Sequence, residues 1–150
     1  MANHIQLPQY SQLEAGVEAL LLKYTASGEV LGHTPHRFSN ALSELLDGYG
    51  TDFDALKKSF SHSGTDSIVT CLHISFYSLC EHHLLPFFGR CHVGYLPNKR
   101  VAGLSKIPRV VDMFSRRLQV KERLTVEIAE ALQAKLKPHG VGVVMEARHL

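Results

Sequence analysis

Four consecutive residues, Cys80, Glu81, His82 and His83, place a thiol, a carboxylate and two imidazoles on one short stretch, with the apolar run LLPFFG directly behind them. Cysteine thiolate and histidine nitrogen are donors that a tetrahedral zinc ion takes, and a catalytic zinc keeps one position open for water. Cys80 and His83 stand three residues apart, a spacing that lets both turn toward one ion. His82 then points elsewhere, where it can serve as an acid or base beside the metal. The plain alternative is a cysteine and two histidines that close the end of a strand. His149 is a further isolated histidine, next to the last residue. Spacing alone reaches a candidate catalytic zinc site and stops there.

A second grouping is basic. Lys99, Arg100, Lys106, Arg109, Arg116, Arg117, Lys121 and Arg123 are half of the sixteen lysines and arginines, set against only Asp112 and Glu122 in the same stretch. Such a cluster can hold an anion, whether nucleic acid, a membrane surface or a small phosphate ligand, or it can be a solvated helix face. No aromatics are interleaved with these charges, which argues against a stacking platform for single strands.

The elements that must position these groups can be read from periodicity. Leu13, Val17, Leu20 and Leu21 recur at helical spacing within YSQLEAGVEALLLKY, with Ser11 as the expected cap and Ser27-Gly28 as the end. Thr34 as cap and Pro35 at the first position predict a second helix that Gly48 closes. DSIVTCLHISFYSLC, 66–80, is rich in β-branched and aromatic residues and reads as a strand. FFGRCHVGYLPNKRVAGL, 87–104, reads as its antiparallel partner, broken by a turn at Pro97-Asn98. SKIPRVVDMFSRRL predicts a helix capped by Ser105, with Ile107, Val110, Val111 and Phe114 on one face. KERLTVEIAEALQAKL predicts another, with Leu124, Ile128, Leu132 and Leu136 inward and a stop at Pro138 and Gly140. GVGVVMEARHL returns to strand.

The expected class is therefore α+β in one domain over 1–150, with a helical segment at 1–50 and a β-β-α-α-β core at 65–150. Three apolar strands in so small a sheet leave edges unpaired, and closing the sheet against neighbouring subunits would remove them. Homo-oligomerisation is the expectation.

Composition agrees with an ordinary globular chain. At 150 residues and 16.7 kDa it can bury a real core, and 45% hydrophobic with 20% charged residues argues against disorder. No apolar run approaches the roughly 20 residues of a membrane span, and the opening MANHIQLPQYSQLE lacks the pattern of a secretory signal. An odd count of three cysteines makes a disulfide framework a poor reading, so a reducing cytoplasm fits. Cys71 and Cys91 read as buried free thiols, and His73 and His92 as strand residues with satisfied hydrogen bonds.

Four stretches in order, FYSLCEHHLLPFFG, GLSKIPRVVDMFSRRLQV, ERLT and GVGVVMEARHL, resemble the GTP cyclohydrolase I family from about Thr34 to Leu150. The resemblance implies the tunnelling fold, in which sheets from five subunits close a barrel and two such rings stack into a decamer. It implies that Cys80 and His83 bind zinc, and that His82 gives a proton to the imidazole part of guanine. His149 would act as acid or base in later steps. Ser105 and Lys106 would meet the ribose and triphosphate, Arg109 and Arg37 would hold phosphate, and Glu122 would read the guanine N1 and amino hydrogens. The implied reaction opens the imidazole ring of GTP, releases C8 as formate and closes a dihydropterin ring, giving 7,8-dihydroneopterin triphosphate at the head of tetrahydrofolate and pterin synthesis. Zinc would be the cofactor and GTP the partner, with no nucleic acid and no membrane involved.

Three departures from the family pattern bear on this. The family's third zinc ligand is a cysteine two residues after the histidine of the last strand, and here His149 is followed by Leu150 alone, the pattern expected of a C-terminal truncation. Lys121 stands where a glutamine is usual and can pair with Glu122, and Asn40 stands where a phosphate-binding lysine is common. A different class of reading is a non-catalytic member of the fold that binds a purine or pterin with an incomplete metal site. The nitrile reductase of 7-deazaguanine synthesis shares the fold, but its signature is absent.

Overall fold

The computed structural model describes residues 10–51, 59–61 and 67–150. The first nine residues and the expected strand start at Asp66 lie outside the described residues. Two helices, α1 (Tyr10–Leu21) and α2 (Gly28–Leu45), are followed by a short 3-10 turn at Asp47–Tyr49. Then come β1 (Ser59–Ser61), β2 (Val69–Cys80), β3 (Pro86–Leu96), β4 (Arg100–Ala102), α3 (Lys106–Ser115), β5 (Leu118–Gln119), α4 (Lys121–Leu136) and β6 (Gly140–His149). The architecture is α+β, with the long strands and both core helices in the anticipated order.

The main sheet runs β5-β2-β3-β6. β2 and β3 pair antiparallel from Val69↔Tyr95 to Leu79↔Pro86, and β6 lies antiparallel on β3 from Leu96↔Gly140 to Phe87↔His149. One sheet face alternates inward through Ile74, Phe76, Phe87, Cys91, Val93 and Tyr95, all buried. Onto it pack Ile107, Val110 and Val111 of α3 and Leu124, Ile128, Leu132 and Leu136 of α4, the stripes read from periodicity. Phe114 packs against this core without being fully buried.

Five local expectations need correction. α2 starts at Gly28, not at Pro35, because half-buried Val30, Leu31 and Thr34 carry the packed stripe one and a half turns upstream. Pro35 therefore sits inside the helix and is buried there, where it removes one intrahelical hydrogen bond. Ser11 lies within α1 instead of before it. Ser105 does occupy the residue before α3, but its side chain makes no capping bond. Finally, the 87–104 stretch does not stay in the main sheet beyond Pro97. After the turn, β4 leaves to pair with β1, and the helix expected to reach Leu118 ends at Ser115 so that Leu118-Gln119 can pair parallel with Leu79-Cys80.

Two glycines are needed for close approach. A Cβ on Gly89 would run into the backbone carbonyl of Glu146 on β6, and one on Gly48 would meet the carbonyls of Met113 and Arg116. Gly48 N–H donates to Arg116 O at 3.0 Å, so the turn after α2 is seated on the end of α3. None of the described helices is long and apolar enough to cross a membrane.

Candidate functional site

The Cys80–His83 stretch forms a tight turn closed by its own backbone. Cys80 N–H donates to Leu85 O at 2.8 Å, and Leu84 N–H donates to Cys80 O at 2.8 Å. Leu84 takes a left-handed φ of 55°, which reverses the chain into β3. A further bond from Glu81 N–H to Gln119 O, 3.0 Å, fixes the turn to β5. Cys80 is buried at the end of β2, while His82 and His83 are exposed beside it.

Sulfur and nitrogen converge here. Cys80 Sγ lies 3.8 Å from His83 Nδ1 and 4.0 Å from His82 Nδ1. Donors at ~2.3 and ~2.0 Å from one zinc ion in tetrahedral arrangement stand roughly 3.5 Å apart, so Cys80 with His83 fits such an ion in chemistry and in reach. The two imidazoles are nearly perpendicular, at 76°, with centroids 6.1 Å apart. Among the described residues no group of three or more histidine, cysteine or acidic side chains gathers as a metal cage. The turn therefore supplies two donors.

Other expected residues gather at the same end of the sheet. Gln119 pairs with Cys80 across the parallel β5–β2 contact, which sets the first turn of α4, with Lys121 and Glu122, beside the Cys80 turn. Lys121 Nζ lies 3.6 Å from Glu122 Oε1, the pairing anticipated for the lysine. The Glu122 carboxyl is held below the usual carboxylate range, first by its own backbone N–H at the helix start and then by Lys121 and His149. His149 arrives from two strands away, since Ser78 pairs with Phe87 and Phe87 pairs with His149. Its ring stacks on Phe87, centroids 4.8 Å apart and 10° from parallel.

The phosphate residues named from the resemblance are elsewhere. α3 has ten residues and so is about 15 Å long. Its far end is fixed near Cys80, because Ser78 Oγ donates to Arg117 O at 3.2 Å. Its start lies at the opposite end of the sheet, where Ala102 N–H donates to the hydroxyl of Tyr95, the partner of Val69. Ser105, Lys106 and Arg109 cluster there, with an uncapped helix start beneath them that can face an anion. Arg37 stands exposed on α2, whose packing partners include α1 and the 3-10 turn. Asn40, one turn on, donates to His36 Nε2 at 3.1 Å, and His36 Nδ1 donates to Glu14 Oε1 at 3.0 Å, tying α2 to α1.

The basic cluster thus divides. Arg116 contacts Asp112 and Asp47 at 3.1 and 3.3 Å, and Arg117 donates to Gly48 O and lies over the Tyr49 and Phe114 rings. These two arginines hold the 3-10 turn. Arg123 contacts Glu81 and Gln119, a role that sequence reasoning missed, although both Arg123 and Glu81 stood inside the motifs it used. Cys71 and Cys91 are free thiols, and burial, with Cys71 nearby, pushes the Cys91 thiol up to about 12. His73 N–H donates to His92 Nδ1 at 3.3 Å, where the β2–β3 register slips between Cys71 and Ile74.

Comparison with known proteins decides what this arrangement belongs to. The family model described as GTP cyclohydrolase I matches residues 13–150. The chain belongs to the GTP cyclohydrolase I family. It is 53% identical over 123 residues to "GTP cyclohydrolase 1" of Leptospira biflexa, a match covering 81% of this chain and 67% of that relative. Likewise it is 53% identical over 123 residues to the protein of that name from Campylobacter jejuni strain RM1221, covering 81% and 65%. With the Hahella chejuensis protein of the same name it shares 45% over 144 residues, covering 89% and 77%. The chain thus matches about two thirds of the length of the first two relatives. A crystal structure of the archaeosine synthase QueF-Like in the apo form superposes with a TM-score of 0.50 at 21% identity, over 57% of this chain and 95% of that one. That likeness concerns the fold alone.

Proposed function

We propose that this chain carries out the GTP cyclohydrolase I reaction, converting GTP and water to formate and 7,8-dihydroneopterin triphosphate in the cytoplasm, at the entry to tetrahydrofolate and pterin synthesis. The observation that carries the reading is the convergence of Cys80, His82, His83, Glu122 and His149 at one end of the sheet in a member of this family. Cys80 and His83 are the residues that would hold zinc, which when bound would supply a water of lowered pKa. Glu122, kept anionic, accepts the N1–H and amino hydrogens of guanine, a paired contact that adenine cannot reproduce. His82, exposed beside Cys80, delivers a proton to the imidazole nitrogen N7 and makes C8 more electrophilic. His149 moves protons in the later ring-opening and closing steps, its ring held by Phe87. Lys121 partly occupies Glu122 and tempers guanine binding.

Ser105, Lys106, Arg109 and Arg37 bind the ribose and triphosphate. Because the first three lie a helix length from Cys80 in one chain, a neighbouring subunit would present them to each site. An oligomer is consistent with the open sheet, in which Tyr77, Phe88 and Val144 are exposed large side chains and β6 pairs on one side only among the described residues. Two stacked rings of five, closing the sheets into a barrel, is the assembly we propose.

The test is formate release from GTP by the 150-residue chain with zinc supplied, and its loss in Cys80→Ser. Turnover that survives Cys80→Ser rejects the proposed metal site. A second reading, a non-catalytic purine- or pterin-binding member of the fold, is favoured by the count of two metal donors at the turn. It predicts saturable binding of GTP without formate.

A further inference from the structure

The guanidinium of Arg123 occupies the joint between the Cys80 turn and the start of α4. Its Nη2 donates to Glu81 Oε2 at 2.6 Å and to Leu118 O at 2.7 Å, and its Nε donates to Gln119 Oε1 at 3.0 Å. Glu127 Oε1 stands a further 3.8 Å from Nε. Gln119 is itself buried and fully engaged, its amide donating to Glu127 Oε2 at 2.7 Å and to Phe114 O at 3.2 Å. The other oxygen of Glu81, Oε1, lies 3.9 Å from His82 Nε2. One planar fork therefore links three things: the carboxylate next to His82, the backbone of β5, and the buried amide under α4.

We infer that Arg123 is a positioning residue for the site, acting through Glu81 on the turn that carries Cys80, His82 and His83, and through β5 on the spacing between that turn and Glu122. The inference rests on the proposed function for what the positioning serves. The geometry explains why an arginine is used. Three acceptors in fixed directions are met by a rigid planar donor set, whereas a lysine ammonium is a point charge on a flexible stem and cannot hold all of them. It also gives Glu81 a role: its backbone N–H is bonded to Gln119 O at 3.0 Å while its side chain is bonded to Arg123, so the residue is clamped at both ends. Groups that orient ligands and acid–base residues in this way commonly change metal affinity or activity by 10–100-fold when replaced.

Arg123→Lys keeps the charge and removes the fork. Hydrogen exchange followed by mass spectrometry on the 150-residue chain reads the turn without needing substrate or metal. Faster exchange across residues 80–85, with the α4 peptides from Leu124 onward unchanged, is the expected result. Unchanged exchange at 80–85 overturns the inference, and so does uniform loss of protection, which would mean a purely structural role. In parallel, kcat for formate release should fall by about 10–100-fold in Arg123→Lys, a larger change than the accompanying rise in KM for GTP. Glu81→Gln, which keeps an acceptor oxygen for Nη2, should retain more activity than Glu81→Ala; equal loss in the two counts against the clamp. If the unaltered chain releases no formate, the proposed function fails, and the exchange comparison still judges Arg123.

Discussion

The ring of His149 lies flat on the ring of Phe87, with centroids 4.8 Å apart and 10° between planes. Phe87 is completely buried and meets Phe76 edge-on, centroids 6.1 Å apart, so an exposed histidine on the last strand is steadied from inside the core. Phe87→Leu keeps most of the volume but removes the flat support. It should cost about 1.5 kcal/mol or less in urea unfolding. It should also lower kcat for formate release several-fold with little change in KM. Phe87→Ala, in contrast, should lose about 3–5 kcal/mol of stability. A Phe87→Leu enzyme with unaltered kcat would show that the stack does not steady His149.

Gly89 permits the β3–β6 approach on which that stack depends, since any Cβ there meets the Glu146 carbonyl and, at 2.9 Å, the Ala147 Cα. Gly89→Ala should destabilise the chain by about 1–3 kcal/mol or more. The measurement is the denaturant midpoint at constant m-value. A change within experimental error would mean that β6 shifts freely, and the histidine with it.

Glu122 gives a prediction about acid. Its carboxyl is depressed below the ordinary 4.5 by its own backbone N–H and then by Lys121 and His149. A depressed folded value means that the carboxylate is present above the ordinary value and is lost only as pH falls through the lower one. GTP affinity measured by equilibrium binding should therefore hold between neutral pH and about pH 5, as far as Glu122 governs it. Glu122→Gln should weaken GTP binding by about 10–100-fold, as expected when a paired charge-assisted contact is lost. Lys121→Gln should tighten it.

Cys91 gives a prediction about alkali and reactivity. Its thiol is fully buried and raised from 9.0 to about 12, first by desolvation and then by Cys71. A raised thiol favours the folded state fully below the unfolded value and loses that contribution as pH climbs from about 9 toward about 12. At pH 8, iodoacetamide should label all three cysteines in denaturant and leave Cys91 unlabelled in the folded chain. Rapid native labelling of Cys91 would contradict the packing of β3.

How legible was this molecule from its residues? The inward stripes of α3 and α4 were readable because Val110, Val111, Leu124 and Ile128 obey a period that only burial explains. The Cys80–His83 turn was readable because its donors are adjacent in sequence. What escaped was made by contacts between distant positions. β1 and β5 span three and two residues, too short to carry a period, and exist because β4 and β2 offer them edges. The true start of α2 was hidden by Pro35, whose local preference for a first turn lost to packing along α1. Arg123 looked like one charge among eight, and its work depends on where a strand of two residues happens to bring Gln119.

The separation of residues along α3 has a genetic consequence. A Cys80→Ser chain keeps its Lys106 end intact, and a Lys106→Ala chain keeps its Cys80 end intact. Where neighbouring subunits share a site, co-expressing the two defective alleles would generate some interfaces that unite both good halves. Such a strain would recover pterin synthesis that neither allele supports alone, and two lesions on one allele would not.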